Sequence, residues 1–207
     1  MTNDPQLEQV LNNIRNPHKW VSAETILRVI QDNPSLRGFV YGYVSEMEFE
    51  QHYLKARKTI EGFSKDDDHK KTKSDRTVIF KGKPITIQVK SIQTNSIRLE
   101  DGKFVAKVQN DASDRRRLKL PGGSTVETTC YIVGEYDILA VSLHPFTGKW
   151  EYAFKENSKL QRTNSKKYTP KLQRHLLATL ETISFPLDPS WTEDFDAILE
   201  SVSREKR

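Results

Sequence analysis

The sequence predicts an α/β protein in which helices flank one mixed β-sheet. Helical patterns occupy both ends of the 207-residue chain, and strand patterns occupy its middle. Two turn signals, KGK at 81–83 and PGGS at 121–124, each separate a pair of strand-like runs. We therefore expect a helical N-terminal segment over residues 1–32 and one α/β domain over residues 33–207.

The first helices are predicted from residue spacing and from capping residues. Apolar residues at helical spacing indicate a short helix over 4–15, and Ser22 is placed to cap a second helix. A long third helix begins after Asn33, with Pro34 in its first turn. We expect the buried stripe of this helix to consist of Leu36, Val40, Tyr43, Met47 and Leu54.

Two β-hairpins are predicted in the middle of the chain. The first pairs residues 75–80 with residues 84–90 through the short KGK link. The second spans residues 115–129, and its Pro121 and Gly122 suit the central positions of a type II turn.

The remaining elements complete the order of helices, strands and helices. KFVAKVQ is predicted as a further strand, and the apolar run YDILAVSL as a central strand that pairs with WEYAF. Helices are expected over YTPKLQRHLLATL and around TEDFDAILESV.

Composition limits the class of protein. Lys and Arg number 33 against 28 for Asp and Glu, and a net charge of +5 attracts phosphate if it is clustered. The one cysteine, Cys130, excludes a disulfide framework or a cysteine-rich zinc site within the chain, and we expect it to be a buried thiol. The first residues lack the apolar run of a signal peptide, and no stretch has the length of a membrane span. We therefore expect a cytoplasmic protein.

The strand GKPITIQVKS carries a polar pair at its end. Ile85, Ile87 and Val89 alternate on one face, whereas Gln88 and Lys90 share the opposite face. Two interpretations are open: this is an ordinary solvated face, or it is half of a metal-dependent nuclease site.

The first hairpin brings a carboxylate to this strand end. With Gly82 at the centre of the turn, Asp75 is expected to lie opposite Val89. The Asp75 carboxylate, the Gln88 amide oxygen and the Val89 carbonyl oxygen suit a hard cation such as Mg²⁺, with Mn²⁺ as a substitute. The cation would neutralise a phosphodiester oxygen, and Lys90 would orient or deprotonate the attacking water.

Asp75 followed by Gln88-Val89-Lys90 resembles the signature of the PD-(D/E)xK nuclease superfamily. More specifically, NPSLRGFVYGYVSE, VKSIQTNS, DASDRR and GEYDILAVSL together resemble a family of bacterial type II restriction endonucleases, over roughly Asn33 to Leu180. This resemblance implies a restriction-endonuclease-like mixed β-sheet flanked by helices, magnesium dependence and cleavage of duplex DNA.

The chain departs from the superfamily pattern at two positions. Ser74 stands where the motif has proline, and Gln88 replaces the usual acid, which removes a negative charge from the metal site. The resemblance also implies an acid from the first core helix. Glu46 is the candidate for it, with Glu48 and Glu50 close by, and a solvated acidic face is the alternative.

Candidate DNA contacts follow the proposed site. Arginine can bind guanine through two hydrogen bonds or contact phosphate, whereas charges on an edge strand can instead prevent aggregation. Both interpretations apply to Arg115, Arg116, Arg117 and Lys119. Asn95 and Ser96 are candidates for contacts with the DNA backbone or bases, and simple turn residues are the alternative.

The loop before Asp75 is highly charged. Asp67, Asp68 and His69 offer metal-binding atoms, but adjacent residues on a loop rarely converge, so a solvated loop is the favoured interpretation.

The leading functional hypothesis is a magnesium-dependent, sequence-specific endonuclease of double-stranded DNA, of the type II restriction kind. A homodimer is expected, because a two-fold pair can cut both antiparallel strands of a palindrome. The alternatives are a repair or structure-selective nuclease of the same superfamily, a non-catalytic DNA-binding module with a decayed site, and an unrelated basic α/β protein.

Overall fold

The structure, a computed structural model, describes residues 8, 9, 12, 15, 21–66 and 74–206. It consists of two compact units, Met1–Tyr41 and Gly42–Arg207. The predicted boundary between residues 32 and 33 stays a prediction.

The first unit contains the predicted second helix. Helix α1 (Ala23–Asp32) is capped by Ser22, whose side chain accepts a hydrogen bond from the backbone N–H of Thr25, as predicted. Most of the helix predicted over 4–15 lies outside the described residues, although its described members are helical: Glu8, Gln9, Asn12 and Arg15.

Helix α2 (Pro34–Phe49) continues into a π-helical turn, Glu50–Lys55. The predicted buried stripe was wrong for Tyr43 and Met47, which are 62% and 51% exposed, and also for Leu36. Phe49 is buried instead, because its ring packs in an aromatic cluster with Tyr53, Tyr152, Phe154 and Phe195. Leu54 is buried, as predicted.

The second unit carries the strands and the remaining helices. The strands are β1 (Gly62–Lys65), β2 (Arg76–Phe80), β3 (Lys83–Ser91), β4 (Arg98–Glu100), β5 (Lys103–Gln109), β6 (Asp111–Lys119), β7 (Thr125–Cys130), β8 (Ile138–Ser142), β9 (Tyr152–Glu156) and β10 (Leu180–Phe185). The helices are α3 (His144–Thr147), α4 (Pro170–Gln173) and α5 (Phe195–Glu205).

A mixed five-stranded sheet forms the centre of this unit, and the predicted α/β class is confirmed. Its order is β1-β2-β3-β8-β9, with β3 and β8 parallel and the other pairs antiparallel. One face packs on Phe49, Leu54 and helix α5. The other face packs on residues of a smaller sheet with the order β10-β5-β4. All five residues of β8 are therefore buried, as its apolar sequence predicted.

One predicted helix was wrong over most of its length. Only Pro170–Gln173 is helical, while Leu176 and Leu177 are fully buried and form β-bridges with Ile132 and Arg162. The chain then enters β10, which pairs with β5. A short apolar run such as this one cannot be assigned to helix or strand from periodicity alone. Here the residues after Gln173 pair with other backbone segments instead of forming a helix.

The β6–β7 hairpin has the predicted turn. Gly122 has a φ of 88°, and the N–H of Gly123 donates to the Leu120 carbonyl at 3.1 Å, which defines a type II turn after Pro121. Cys130, at the end of β7, is a buried free thiol, as expected. No helix in the described part of the chain is long and apolar enough to cross a membrane.

Candidate active site

The β2–β3 hairpin positions Asp75 directly opposite Gln88. Arg76 pairs with Ile87, so the residue before Arg76 faces the residue after Ile87. The predicted register, with Asp75 opposite Val89, was wrong by one residue. Lys81 and Gly82 both have positive φ, 51° and 70°, so the turn is centred between them and not on Gly82.

The Asp75 carboxylate is held by two donors from β3. Its Oδ2 atom accepts hydrogen bonds from Gln88 Nε2 and from the backbone N–H of Val89, each at 2.8 Å. Gln88 is 3% exposed. Gln88 therefore does not belong to a solvated strand face, which was one of the two interpretations of this strand end.

Asp66 fixes the backbone that leads into Asp75. Its carboxylate accepts hydrogen bonds from the hydroxyls of Ser74 and Thr77, and its N–H donates to the Asp75 carbonyl at 3.2 Å. Ser74, the residue before Asp75, thus has a structural partner. The nearby metal-ligand candidates Asp67, Asp68 and His69 lie outside the described residues.

A buried arginine connects helix α2 to the start of β2. Arg76 is 3% exposed, and its guanidinium lies 3.4 Å from Glu46 Oε2 and 3.3 Å from Glu50 Oε2. It also donates to the Asp75 carbonyl at 2.7 Å. Sequence reasoning missed Arg76. The available signal was its position on the inward face of β2, two residues before the buried Val78.

Glu46 lies within electrostatic reach of Asp75 and Lys90. Burial, and then the Asp75 carboxylate, raise the pKa of Glu46 from 4.5 to about 7. The positive charges of Arg76, Lys90 and Lys65 act in the opposite direction. The fold therefore brings the predicted acid of the first core helix to the predicted acid of the hairpin.

Lys90 shares the strand face of Gln88, because it lies two residues further along β3. Its side chain is half-buried, and its neighbour on the parallel strand β8 is the buried Val141. Asp75, Gln88 and Lys90 thus occupy one end of the β2–β3 hairpin, and Glu46 on α2 lies within electrostatic reach of Asp75 and Lys90.

Tyr131, which follows β7, interacts electrostatically with the Asp75 carboxylate. It is buried, and burial together with the Asp75 charge raises the pKa of its hydroxyl. Arg116 lies over its ring, with the guanidinium carbon 5.3 Å from the ring centre. Sequence reasoning missed Tyr131, because nothing in the local pattern links it to Asp75.

The predicted DNA contacts fall into two groups. Arg115, Arg117 and Lys119 are exposed along β6, whereas Arg116 points inward, forms an ion pair with Glu135 and donates to the Cys130 carbonyl at 3.3 Å. Arg116 is thus already engaged within the protein.

Asn95 and Ser96 lie in a short 3₁₀ turn after β3. Asn95 is exposed. The Ser96 hydroxyl donates to the Gln93 carbonyl at 2.6 Å and accepts from the Lys107 N–H at 2.8 Å. The hydrogen bonds of Ser96 are those of a turn residue.

The two acids of the site, Glu46 and Asp75, are ligands of the type that a hard cation prefers. Gln88 turns its amide nitrogen, and Val89 its backbone N–H, towards Asp75. In the described part of the chain, no group of three or more His, Cys, Asp or Glu side chains forms a metal site. A cation at this hairpin would therefore depend on two acids and neutral donors.

Comparison with known proteins gives one structural likeness. No protein-family model matches the chain, and no curated protein matches it in sequence. The chain is similar to the solved structure of a bacterial homing endonuclease, I-Ssp6803I, at 14% identity and a TM-score of 0.41. The match covers 80% of this chain and 95% of that one. Because the similarity is this low, the chemistry of the site has to be inferred from the side chains described above.

Proposed function

We propose that this chain is a magnesium-dependent endonuclease of double-stranded DNA, with its reaction centre at Glu46, Asp75, Gln88 and Lys90. The observation that carries the proposal is the environment of the Asp75 carboxylate. It accepts a hydrogen bond from Gln88, and its charge helps to raise the pKa of Glu46, which Lys90 acts to lower. Arrangements that shift a carboxyl pKa by this much are concentrated at functional sites.

A divalent cation would relieve the repulsion between the two carboxylates. Asp75 and Glu46 would hold it, with the Gln88 side-chain oxygen and the Val89 carbonyl oxygen as neutral donors. Mg²⁺ is the expected ion and Mn²⁺ its substitute. When bound, such a cation polarises a phosphodiester oxygen and lowers the pKa of a bound water. Gln88 would have to turn its amide, because its nitrogen now faces Asp75.

The protein's own groups would then position the reactants. Lys90 would orient the attacking water and balance the charge that develops on the phosphorane. Arg76 would keep Glu46 close to Asp75, since it contacts the Glu46 carboxylate and the Asp75 carbonyl. The donors from Gln88 and Val89 would fix the direction of the Asp75 carboxylate.

Duplex DNA is the substrate that the charges favour. The chain has an excess of +5, and three of its exposed basic residues, Arg115, Arg117 and Lys119, stand on one strand. We further propose a restriction-type enzyme that acts as a homodimer, because a two-fold pair presents one site to each antiparallel strand. A repair or structure-selective nuclease would use the same reaction centre.

A second candidate is a non-catalytic DNA-binding module. The observation that favours it is the Gln88 amide nitrogen, which occupies a position beside Asp75 where a catalytic acid would bind metal. Such a module would retain the fold and the basic strand while lacking cleavage.

Digestion of a sequenced circular plasmid with Mg²⁺ tests these proposals. Discrete fragments with fixed ends would support a restriction-type endonuclease. Cleavage only at mismatches, branches or ends would support the structure-selective alternative. Duplex binding without cleavage in Mg²⁺ or Mn²⁺ would contradict the proposed activity and support the binding module.

A further inference from the structure

The β6–β7 hairpin has one basic outward face. Arg117 and Lys119 lie two apart in the regularly paired part of β6 and share its exposed face. Arg115 is also exposed and precedes Arg116, where the regular pairing begins after a register shift. These three basic residues form an exposed row along β6. On the inward face, Leu118 and Val126 pack with a cluster that also contains Leu120, Cys130, Tyr168 and Leu176. The hairpin is therefore a two-stranded ribbon with a packed side and a charged side.

The dimensions of this ribbon match the major groove. A two-stranded ribbon fits in a major groove about 12 Å wide. Alternate residues on a strand are about 6.8 Å apart, given a rise of about 3.4 Å per residue. Stacked bases on one DNA strand are about 3.4 Å apart, so the row presents one side chain for every second base.

The residue types of this face suit base edges better than phosphates alone. Arg115 and Arg117 carry planar guanidinium groups, which can bind guanine O6 and N7 together. Glu127 is exposed and lies directly opposite Arg117 on β7. A carboxylate in this row would repel phosphates, but it can accept a hydrogen bond from cytosine N4.

Arg116 holds the ribbon against the segment that follows β7. Arg116 forms an ion pair with Glu135, which also accepts a hydrogen bond from the Ile132 N–H at 2.9 Å. The Arg116 guanidinium lies over Tyr131, the residue whose pKa the Asp75 charge raises. The contacts of Arg116 thus fix the ribbon to Glu135 and Tyr131.

We propose that the β6–β7 ribbon enters the major groove and reads base edges there, with Arg115 and Arg117 as the specificity-determining residues. Both bind guanine through two hydrogen bonds, Lys119 contacts phosphate, and Arg116 is a positioning residue that holds the ribbon in place. This inference rests on the proposed function in one respect, namely that the substrate is duplex DNA.

The test is a selection of bound sequences from randomised duplexes in Ca²⁺, which should support binding without cleavage. It is run with the wild-type chain and with Arg115→Lys and Arg117→Lys. Lysine keeps the charge and loses the guanidinium fork, so phosphate binding survives and guanine reading does not. The matched control is Arg204→Lys, an exposed residue on α5, far along the chain from the ribbon.

We expect the wild-type chain to select a sequence that contains guanine. In each ribbon variant, the preference for guanine over other bases at one position should fall at least tenfold. Its affinity for random duplex should change less than twofold. The control should select the wild-type sequence. An Arg116→Lys variant should weaken selection at all positions together, because the whole ribbon is displaced.

Other results would overturn the inference in distinguishable ways. If both ribbon variants select the wild-type sequence, or lose affinity equally for all sequences, Arg115 and Arg117 do not read bases. They would then contact phosphates or protect an edge strand from aggregation, and the nuclease proposal would be unaffected. Cleavage of plasmid DNA by a wild-type chain that selects no sequence would have the same meaning. Absence of duplex binding by the wild-type chain would overturn both proposals.

Discussion

Gln88 Nε2 lies 2.8 Å from Asp75 Oδ2, so the amide of β3 donates a hydrogen bond to the acid that precedes β2. The Gln88 side of this contact is buried, since Gln88 is 3% exposed, whereas Asp75 is half-buried. A glutamate at this position would instead place two carboxylates in contact. Gln88 therefore keeps the Asp75 carboxylate paired without a cation, and this relationship gives the first prediction.

Gln88→Glu should destabilise the metal-free protein and increase its response to Mg²⁺. The new carboxylate repels Asp75 until a cation binds between them. We expect a lower Tm in EDTA, a larger rise of Tm with Mg²⁺ than in wild type, and half-maximal cleavage at an equal or lower Mg²⁺ concentration. Thermal unfolding across a Mg²⁺ titration measures the first two.

Gln88→Ala is the companion variant. It removes the proposed neutral ligand and the donor to Asp75, and we expect cleavage to slow at least tenfold, or about 1.4 kcal/mol of barrier. If both Gln88 variants behave like wild type in cleavage and in Tm, Gln88 has no role in the site.

Calcium should support DNA binding without cleavage. Ca²⁺ accepts the same oxygen ligands as Mg²⁺, but its larger radius and variable geometry position and polarise a water less well. Gel-shift and digestion assays on one protein preparation compare the two ions. Full turnover in Ca²⁺ alone would argue against the proposed reaction centre.

The stability of the protein should depend on pH through Glu46. Because the pKa of Glu46 is raised from 4.5 to about 7, folding favours its protonated form. The free energy of unfolding contributed by this group therefore falls as pH rises from 4.5 to about 7, and it stays low above that range.

Glu46→Gln should remove this dependence, since glutamine mimics the neutral acid at every pH. We expect the free energy of unfolding of the variant, minus that of wild type, to increase from pH 5 to pH 8. After allowance for screening by solvent, this increase should be on the order of 1–2 kcal/mol. Urea unfolding at both pH values measures the difference. A constant difference would mean that Glu46 does not titrate in this range.

Arg76→Met should strongly destabilise the protein. The guanidinium is buried between Glu46 and Glu50, and its removal leaves Glu46 without this ion pair and Glu50 with Lys55 alone. We expect a loss of about 3 kcal/mol in the free energy of unfolding. The control is Arg28→Met, whose ion pair with Glu24 is exposed and should change stability by less than about 0.5 kcal/mol. Equal effects of the two substitutions would contradict the assigned role of Arg76.

Local features of the fold were predictable from sequence because short-range physics determines them. The Ser22 cap and the type II turn at Pro121–Gly122 depend on neighbouring residues only. The pairing of residues 75–80 with 84–90 also follows from alternation around a short turn. The exact register did not follow, because nothing in KGK shows that Lys81 adopts a positive φ.

Features that depend on distant residues were not predictable. The buried face of α2 is selected by aromatic side chains such as Tyr152 and Phe195, which lie about a hundred residues or more away. Arg76 looks like an ordinary charged residue until its acids on α2 are placed beside it. By contrast, the grouping of Asp75, Gln88 and Lys90 could be predicted from the sequence, because all three lie in or next to one hairpin.

Lys90→Ala tests the central claim most directly, because Lys90 is proposed to act on the attacking water and many other basic groups hold the duplex. Plasmid digestion in Mg²⁺ and gel-shift in Ca²⁺ should be measured on the same preparations of wild type and variant. We expect the variant to lose cleavage and to bind DNA within about threefold of wild type, or about 0.7 kcal/mol. Cleavage by Lys90→Ala near the wild-type rate would contradict the assignment of this strand end as a nuclease site.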